Sequence, residues 1–304
     1  MMSLIIDCTR ILIAACYRAA YLLHHVLFLR PGKPLRHARL IVVGSFRAGG
    51  AGKTPFCIWL VRHILERKPD ARVAILCHRV ASDEVNLVQS KFSDVRVVAT
   101  ANRYRTACQL DDDFDYIICD DGFEDSRLVG AATVRLDWGD VPTLLRDLVP
   151  AGRNRSLLQD HDAPAVTLAC SSRGTETPAD VSFTLDSVRN ACGEVLLPKG
   201  SEAGRRKNAV LCGIGNPERF VSDLTQAGFR ISRKIFRADH DRDFDAALRK
   251  ALADGGNVIM TEKDYARIHD GLLKENERVY IAFQTVSVNP EKIEALDTIL
   301  FAAR

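Results

Sequence analysis

Residues 40–64 constrain the fold of this chain more than any other stretch. Leu40-Ile41-Val42-Val43 is an unbroken apolar run. Gly44-Ser45-Phe46-Arg47-Ala48-Gly49-Gly50-Ala51-Gly52 is a loop of mostly small residues, and Lys53-Thr54-Pro55 opens a segment in which Phe56, Trp59, Leu60, His63 and Ile64 recur at helical spacing. A buried parallel strand, a glycine-rich loop and then a helix is the context a phosphate-binding loop requires. Glycines let backbone N–H groups approach phosphate oxygens with no Cβ in the way, and the new helix points its positive end at the same anion. The residues expected to bind ATP are Arg47, Ala48, Gly49, Gly50, Ala51, Gly52, Lys53 and Thr54. Lys53 reaches the β- and γ-phosphates as the catalytic cation, and the Thr54 hydroxyl is placed to ligate Mg²⁺. The strict pattern G-x-x-x-x-G-K-[ST] has Gly where this chain has Arg47. The plainer alternative, a glycine-rich turn before an ordinary helix, is disfavoured because Gly-Lys-Thr stands where strand becomes helix.

The chain has 304 residues, enough for one large or two ordinary domains, and its 47% hydrophobic content allows a large core. A net charge of +3 gives no case for a nucleic-acid partner. None of the nine cysteines forms a C-x-x-C pair, which excludes zinc ribbons and thioredoxin-like motifs, and their lack of pattern suggests a reducing compartment. Cys57, Cys77, Cys119 and Cys212 fall in apolar runs and are expected in the core. Leu4 to Leu29 is rich in Leu, Ile, Ala, Tyr and Phe but interrupted by Asp7, Arg10, Arg18, His24 and His25. No small-residue cleavage site is evident, so a signal peptide is not expected. Residues 1–39 hold six Lys/Arg against the single acid Asp7. A basic, apolar helix over residues 1–30 lies in or dips into an anionic membrane surface, or else packs on the domain as a soluble helix.

After the first helix, strands are expected at 72–77, 95–99, 116–120, 132–136 and 165–169, with a helix at 102–110 and a loop over 78–84. Tyr116-Ile117-Ile118-Cys119-Asp120-Asp121 is an apolar strand ending in carboxylates, the arrangement that places Asp120 and Asp121 beside Mg²⁺. Pro150-Ala151-Gly152-Arg153-Asn154-Arg155 is a basic loop that either meets an anionic substrate through Arg155 or is simply solvated. Residues 171–180 are a linker candidate, and 181–185 with 194–197 are read as a two-stranded ribbon. A second α/β unit starts at Ala209. Asn216 and Pro217 cap a helix over 217–227, strands follow at 231–236, 258–260 and 279–283, and helices at 243–253 and 290–302. Asp239-His240-Asp241 reads equally well as a base or relay and as a surface cap. Thr261-Glu262-Lys263-Asp264 fits a capping box.

In this order the motifs resemble the lipid A 4′-kinases, also called tetraacyldisaccharide 4′-kinases. The resemblance covers nearly the whole chain. It is carried by the apolar first helix, the phosphate loop, Asp120-Asp121-Gly122-Phe123, Pro150-Ala151-Gly152, Gly213-Ile214-Gly215-Asn216-Pro217-Glu218, Asp239-His240 and Thr261-Glu262-Lys263-Asp264. It implies an α/β fold in which a P-loop kinase-like α/β/α core, residues 31–180, is joined by a β-ribbon to a smaller α/β domain, residues 181–304, with the active site in the cleft. It implies transfer of the γ-phosphate of ATP, with Mg²⁺, to the 4′-hydroxyl of a lipid A disaccharide 1-phosphate at the cytoplasmic face of the bacterial inner membrane. It also implies that Asp83 is the catalytic base, assisted by His240, and that Arg79 and Glu84 contact the substrate. Three positions depart from the family pattern. His78-Arg79-Val80 lacks the usual Gly and Tyr, Ser156 stands where the family often has Glu, and Glu124 stands in place of Gln. The rival reading is a membrane-associated P-loop ATPase or GTPase switch with no small-molecule acceptor.

Overall fold

The computed structural model describes residues 2–29, 31–79, 82–139, 141–172, 179–197, 207–238, 241 and 243–302. An N-terminal helix α1 (Met2–Phe28) precedes the first α/β unit, made of β1 (Arg39–Gly44), α2 (Lys53–Arg67), β2 (Val73–His78), α3 (Ser82–Gln89), β3 (Arg96–Thr100), α4 (Arg103–Leu110), β4 (Tyr116–Asp120), β5 (Ala132–Asp137) and β6 (Val166–Ser172). Then follow β7 (Val181–Asn190), β8 (Asn208–Cys212), α5 (Pro217–Gln226), β9 (Ile231–Phe236), α6 (Phe244–Ala253), β10 (Asn257–Thr261), α7 (Glu262–Tyr265), α8 (Gly271–Lys274), β11 (Val279–Val288) and α9 (Pro290–Phe301). The described strands form one sheet in the order β3-β2-β4-β1-β5-β6-β7-β11-β10-β8-β9.

Every pairing in that sheet is parallel except β7 with β11. The apolar run of β1 is central because helices cover both faces of a parallel sheet, leaving no solvated side for polar residues. Leu40, Ile41, Val42 and Val43 are all buried. Ile41 and Val43 belong to the core under α2, which presents Phe56, Leu60 and Ile64 to them. Leu40 and Val42 face the opposite core with Ala107 of α4. Asn102 caps α4 by accepting from the Arg105 N–H, and Asn216 caps α5 by accepting from the Arg219 N–H.

Two sequence expectations change. The stretch 78–84 is not all loop, because α3 begins at Ser82 with Asp83 and Glu84 in its first turn, where carboxylates are favoured by the helix dipole. The ribbon does not join 181–185 to 194–197. It pairs β7 with β11 in antiparallel register from Tyr280↔Asn190 to Val288↔Val181, while Val195 makes only an isolated bridge to Arg189. The linker candidate is half accounted for: β6 runs on to Ser172, and 173–178 lie outside the described residues. From the far end of the chain, α9 returns to the first unit, where Leu296 and Leu300 enter the core beneath α2 and Tyr116 Oη donates to the Leu300 carbonyl at 3.2 Å.

Helix α1 is long and apolar enough to cross a membrane, and only 6% of its span over 6–28 is buried. It touches the first unit along one narrow line. Ala14 is fully buried against Leu148 and Leu157, and Arg18 forms a bidentate ion pair with Asp160 at 2.7 and 2.8 Å. Leu12, Leu23, Val26 and Phe28 are exposed.

Candidate active site

The phosphate loop leaves the C-terminal end of β1, and Asp120 ends the neighbouring strand β4 with its Cα opposite Val43. This register brings two motifs 66 positions apart into contact: the Thr54 hydroxyl donates to Asp120 Oδ2 at 2.6 Å. Crevices at the C-terminal edge of parallel strands are where open α/β sheets bind ligands. Gly50 and Gly52 have φ of 66° and 75°, the left-handed region that lets the loop curl without side-chain strain. On the other side the loop meets the second unit backbone to backbone. A Cβ on Gly215 would stand 2.5 Å from the Gly50 nitrogen, so only glycine fits there. The Trp138 indole donates to the Ala51 carbonyl at 3.1 Å, and the Arg47 and Arg219 guanidinium groups lie 5.2 and 4.8 Å from its ring centre.

A cleft of about 790 Å³ opens between these walls, lined by the loop from Ala48 to Pro55, by Asp120, Asp121 and Arg155 of the first unit, and by Asn216, Arg219 and Lys263 of the second. Lys53 Nζ lies 3.0 Å from Asp121 Oδ1. Arg155 donates to Asp121 Oδ2 through Nη1 at 2.7 Å and to the Ala48 carbonyl through Nη2 at 2.7 Å. Asp121 is the one non-glycine residue with positive φ among those described, at 61°. Aspartate tolerates that region better than most residues, and the grip of Lys53 and Arg155 on both its oxygens holds it there. Arg103 at the start of α4 donates twice to the Asp120 carbonyl, at 3.1 and 2.9 Å.

The two aspartates titrate in opposite directions. Burial first, then the Glu84 charge, push the Asp120 carboxyl up to about 7, against the Thr54 hydroxyl. Burial also opposes ionisation of Asp121, but the Lys53 ammonium and the Arg155 guanidinium overcome it and hold that carboxyl well below the usual range. Asp120 Oδ1 is buried without a hydrogen-bond partner. Among the described residues no group of three or more His, Cys, Asp or Glu has metal-holding geometry. A buried carboxylate with a free oxygen, beside a Thr hydroxyl at a phosphate loop, does fit a Mg²⁺ held mostly by nucleotide oxygens and water.

Asp83 is 2% exposed in the first turn of α3, and both Arg267 Nε and Nη2 donate to its Oδ2, at 2.9 and 2.7 Å. Lys263 Nζ lies 3.6 Å from the same oxygen and donates to Glu84 Oε1 at 2.9 Å. Glu84 and Lys263 line the cleft, whereas Asp83 sits behind them. His240 lies outside the described residues. Arg79 is exposed past the end of β2 and is not part of the cleft lining. Sequence reasoning passed over Arg103, Lys263 and Arg267 as site residues. Arg103 directly follows a helix cap, Lys263 belongs to the Thr-Glu-Lys-Asp motif, whose local pattern marks only a capping box, and Arg267 stands three residues beyond that motif. In the structure Thr261 does cap α7 by accepting from the Asp264 N–H, but Asp264 Oδ1 turns away to accept from Gly213 N at 3.0 Å.

A profile of the family described as tetraacyldisaccharide-1-P 4′-kinase matches residues 10–79 and 77–302. A tetraacyldisaccharide 4′-kinase of Xanthomonas axonopodis pv. citri (strain 306) is 32% identical over 288 residues, covering 83% of this chain and 81% of that one. One from Shewanella frigidimarina (strain NCIMB 400) is 29% identical over 251 residues, covering 76% and 73%. A crystal structure of LpxK from Aquifex aeolicus in complex with ATP has a TM-score of 0.65 to this structure at 19% identity, covering 97% of this chain and 100% of that one. That last likeness shows a shared fold.

Proposed function

This chain belongs to the tetraacyldisaccharide-1-P 4′-kinase family, and from that premise we propose how its cleft carries out the reaction. The protein is an ATP-dependent tetraacyldisaccharide 4′-kinase of lipid A biosynthesis. Its acceptor is a lipid A disaccharide 1-phosphate, phosphorylated at the 4′-hydroxyl. The observation that carries this reading is the convergence of Lys53, Asp121 and Arg155 at the mouth of the phosphate loop, facing the second unit across the cleft. A nucleotide switch without an acceptor is not favoured, given the family match along the chain.

Phosphoryl transfer depends on positioning and charge stabilisation far more than on covalent help. The loop amides from Gly49 to Thr54 cradle the phosphates, and Lys53 exchanges Asp121 for phosphate oxygens when nucleotide enters. Arg155, tied to the Ala48 carbonyl, is held where a transferring γ-phosphoryl group accumulates charge. Thr54 and Asp120 would hold Mg²⁺, with Asp121 close by. Bound there, Mg²⁺ would neutralise charge that builds up on the phosphates during transfer. Asp83 takes the proton of the acceptor hydroxyl with His240 as its helper, and Arg267 fixes the carboxylate's orientation through Oδ2. Arg79 and Glu84 stand on the acceptor side.

Residues 31–180 hold the nucleotide and residues 181–304 close over it, with the β7–β11 ribbon between them. Helix α1 engages an anionic membrane at the cytoplasmic face of the inner membrane, where a lipid acceptor resides. Incubation with Mg²⁺-ATP and a lipid A disaccharide 1-phosphate tests the reading: one phosphate added to the lipid supports it, and unchanged lipid contradicts it.

A further inference from the structure

Arg219, in the first turn of α5, lines the cleft but has no part in the scheme above. Its charge is poorly matched. Its Nε lies 3.8 Å from Asp223 Oδ2, one helical turn on, too far for a hydrogen bond. The guanidinium stands 4.8 and 5.7 Å from the ring centres of Trp138 and Phe183. A second cation, Arg47, lies 5.2 Å from the same Trp138 ring. Arg219 Nη1 is buried and lacks a hydrogen-bond partner. Burial loosens the side chain's hold on its proton, against the attraction of Asp223 and with the repulsion of Arg47. A desolvated cation with so loose an ion pair is costly until a further anion reaches it.

At the start of α2, on the opposite wall, a donor is missing. A helix opens with backbone N–H groups that have no partner inside it, and these are what an anion meets. Here they belong to Lys53 and Thr54, but the third position is Pro55, which has no N–H. The next amide, Phe56 N, is spent on the Gly52 carbonyl at 3.0 Å. The Lys53 side chain serves the β- and γ-phosphates, so the phosphate nearest the nucleoside is the one left short of a donor. Pro55 and Arg219 line the same cleft. The turn Gly215-Asn216, which leads into α5, packs directly on Gly50, so the second unit carries Arg219 to the phosphate loop.

We propose that Arg219 binds the α-phosphate of the nucleotide, supplying from the second unit the donor that Pro55 removes from the first. This rests on the kinase reading and names a contact through which bound nucleotide holds the two units together. Arginine suits the task, since its charge-assisted hydrogen bonds to phosphate are short and strong.

The test is calorimetric titration of the full-length protein with ATP and with ADP at one fixed Mg²⁺ concentration. Arg219→Gln should weaken both nucleotides by the same factor, about tenfold or more, as loss of a hydrogen bond to a charged group typically does. Asp223→Asn removes the carboxylate that competes for Arg219 and should tighten both. Wild-type affinities in a folded Arg219→Gln protein overturn the proposal. So does a loss for ATP with none for ADP, which would put the contact on the γ-phosphate. Should Arg219→Gln fail to fold, Asp223→Asn decides alone, and unchanged or weaker binding in it overturns the proposal. Failure of the kinase reading would show elsewhere, as wild-type protein that never phosphorylates the lipid, whatever the nucleotide titrations give.

Discussion

The Lys53 ammonium rests 3.0 Å from Asp121 Oδ1, at the place where the phosphate loop expects its anion. The pairing keeps a half-buried cation satisfied until phosphate oxygens replace the carboxylate, so the site is preorganised at little reorganisation cost.

Lys53→Ala should therefore lower kcat by about 10²–10³, the usual effect of removing one preorganised charge donor. The fold should persist, because Asp121 keeps its 2.7 Å bond to Arg155. Steady-state kinetics with circular dichroism on the same sample checks both halves. Wild-type turnover in the folded variant would remove the phosphate-loop assignment.

A second expectation concerns Asp83 and His240. If they act as one unit, each alanine substitution should cost about 10²–10⁴ in kcat, and the double variant should be little worse than the worse single one. ATP affinity should hold in all three, since neither residue is assigned to phosphate or metal. Additive losses, or near-normal kcat in Asp83→Ala, would leave the Arg267–Asp83 pair as a purely structural link between the units.

Removal of residues 1–29 should move the protein from the membrane fraction to the soluble one. It should also weaken lipid use more than ATP binding. The folded body loses the Ala14 contact, the Arg18–Asp160 pair, the Tyr21–Ser156 contact and the Ser126 bond to the Leu29 carbonyl, while the exposed Leu12, Leu23, Val26 and Phe28 leave with the helix. Unchanged partitioning in a sedimentation assay would make α1 a structural helix alone.

His161 gives a pH dependence. Burial holds its imidazole down at about 4, against the opposing charge of Asp160 and with the like charges of His25 and Arg135, whereas in an unfolded chain it titrates near 6.5. Between those values the unfolded state binds more protons, so stability rises with pH and is lost as pH falls from about 6.5 toward 4. The melting temperature of His161→Gln should fall less than that of the wild type between pH 7 and pH 5. Identical slopes would mean another group dominates acid sensitivity.

Much of this was legible where chemistry and chain are local. Leu40–Thr54 and Tyr116–Asp121 each carry a strand and its functional tip in one short run, and both folded as read. Asn216 and Pro217 announced α5 in the same way. What the sequence hid depends on distant partners. Asp83 looked like a free carboxylate in a loop, but Arg267, 184 positions away, closes on it. The ribbon partner of β7 was missed because Val181–Leu185 and Glu194–Leu197 are adjacent in the chain, whereas the real partner, β11, lies beyond the whole second unit. Arg103 lines the cleft beside Asp120, yet periodicity marks it only as the start of a helix.

The central claim is tested most directly by incubating the full-length protein with ATP, Mg²⁺ and a detergent-dispersed tetraacyldisaccharide 1-phosphate, then weighing the lipid by mass spectrometry. The account predicts a lipid heavier by one phosphate, borne on the 4′-hydroxyl, and none in the Lys53→Ala control. ATP hydrolysis that proceeds at the same rate with or without the lipid, and leaves the lipid's mass unchanged, would contradict it.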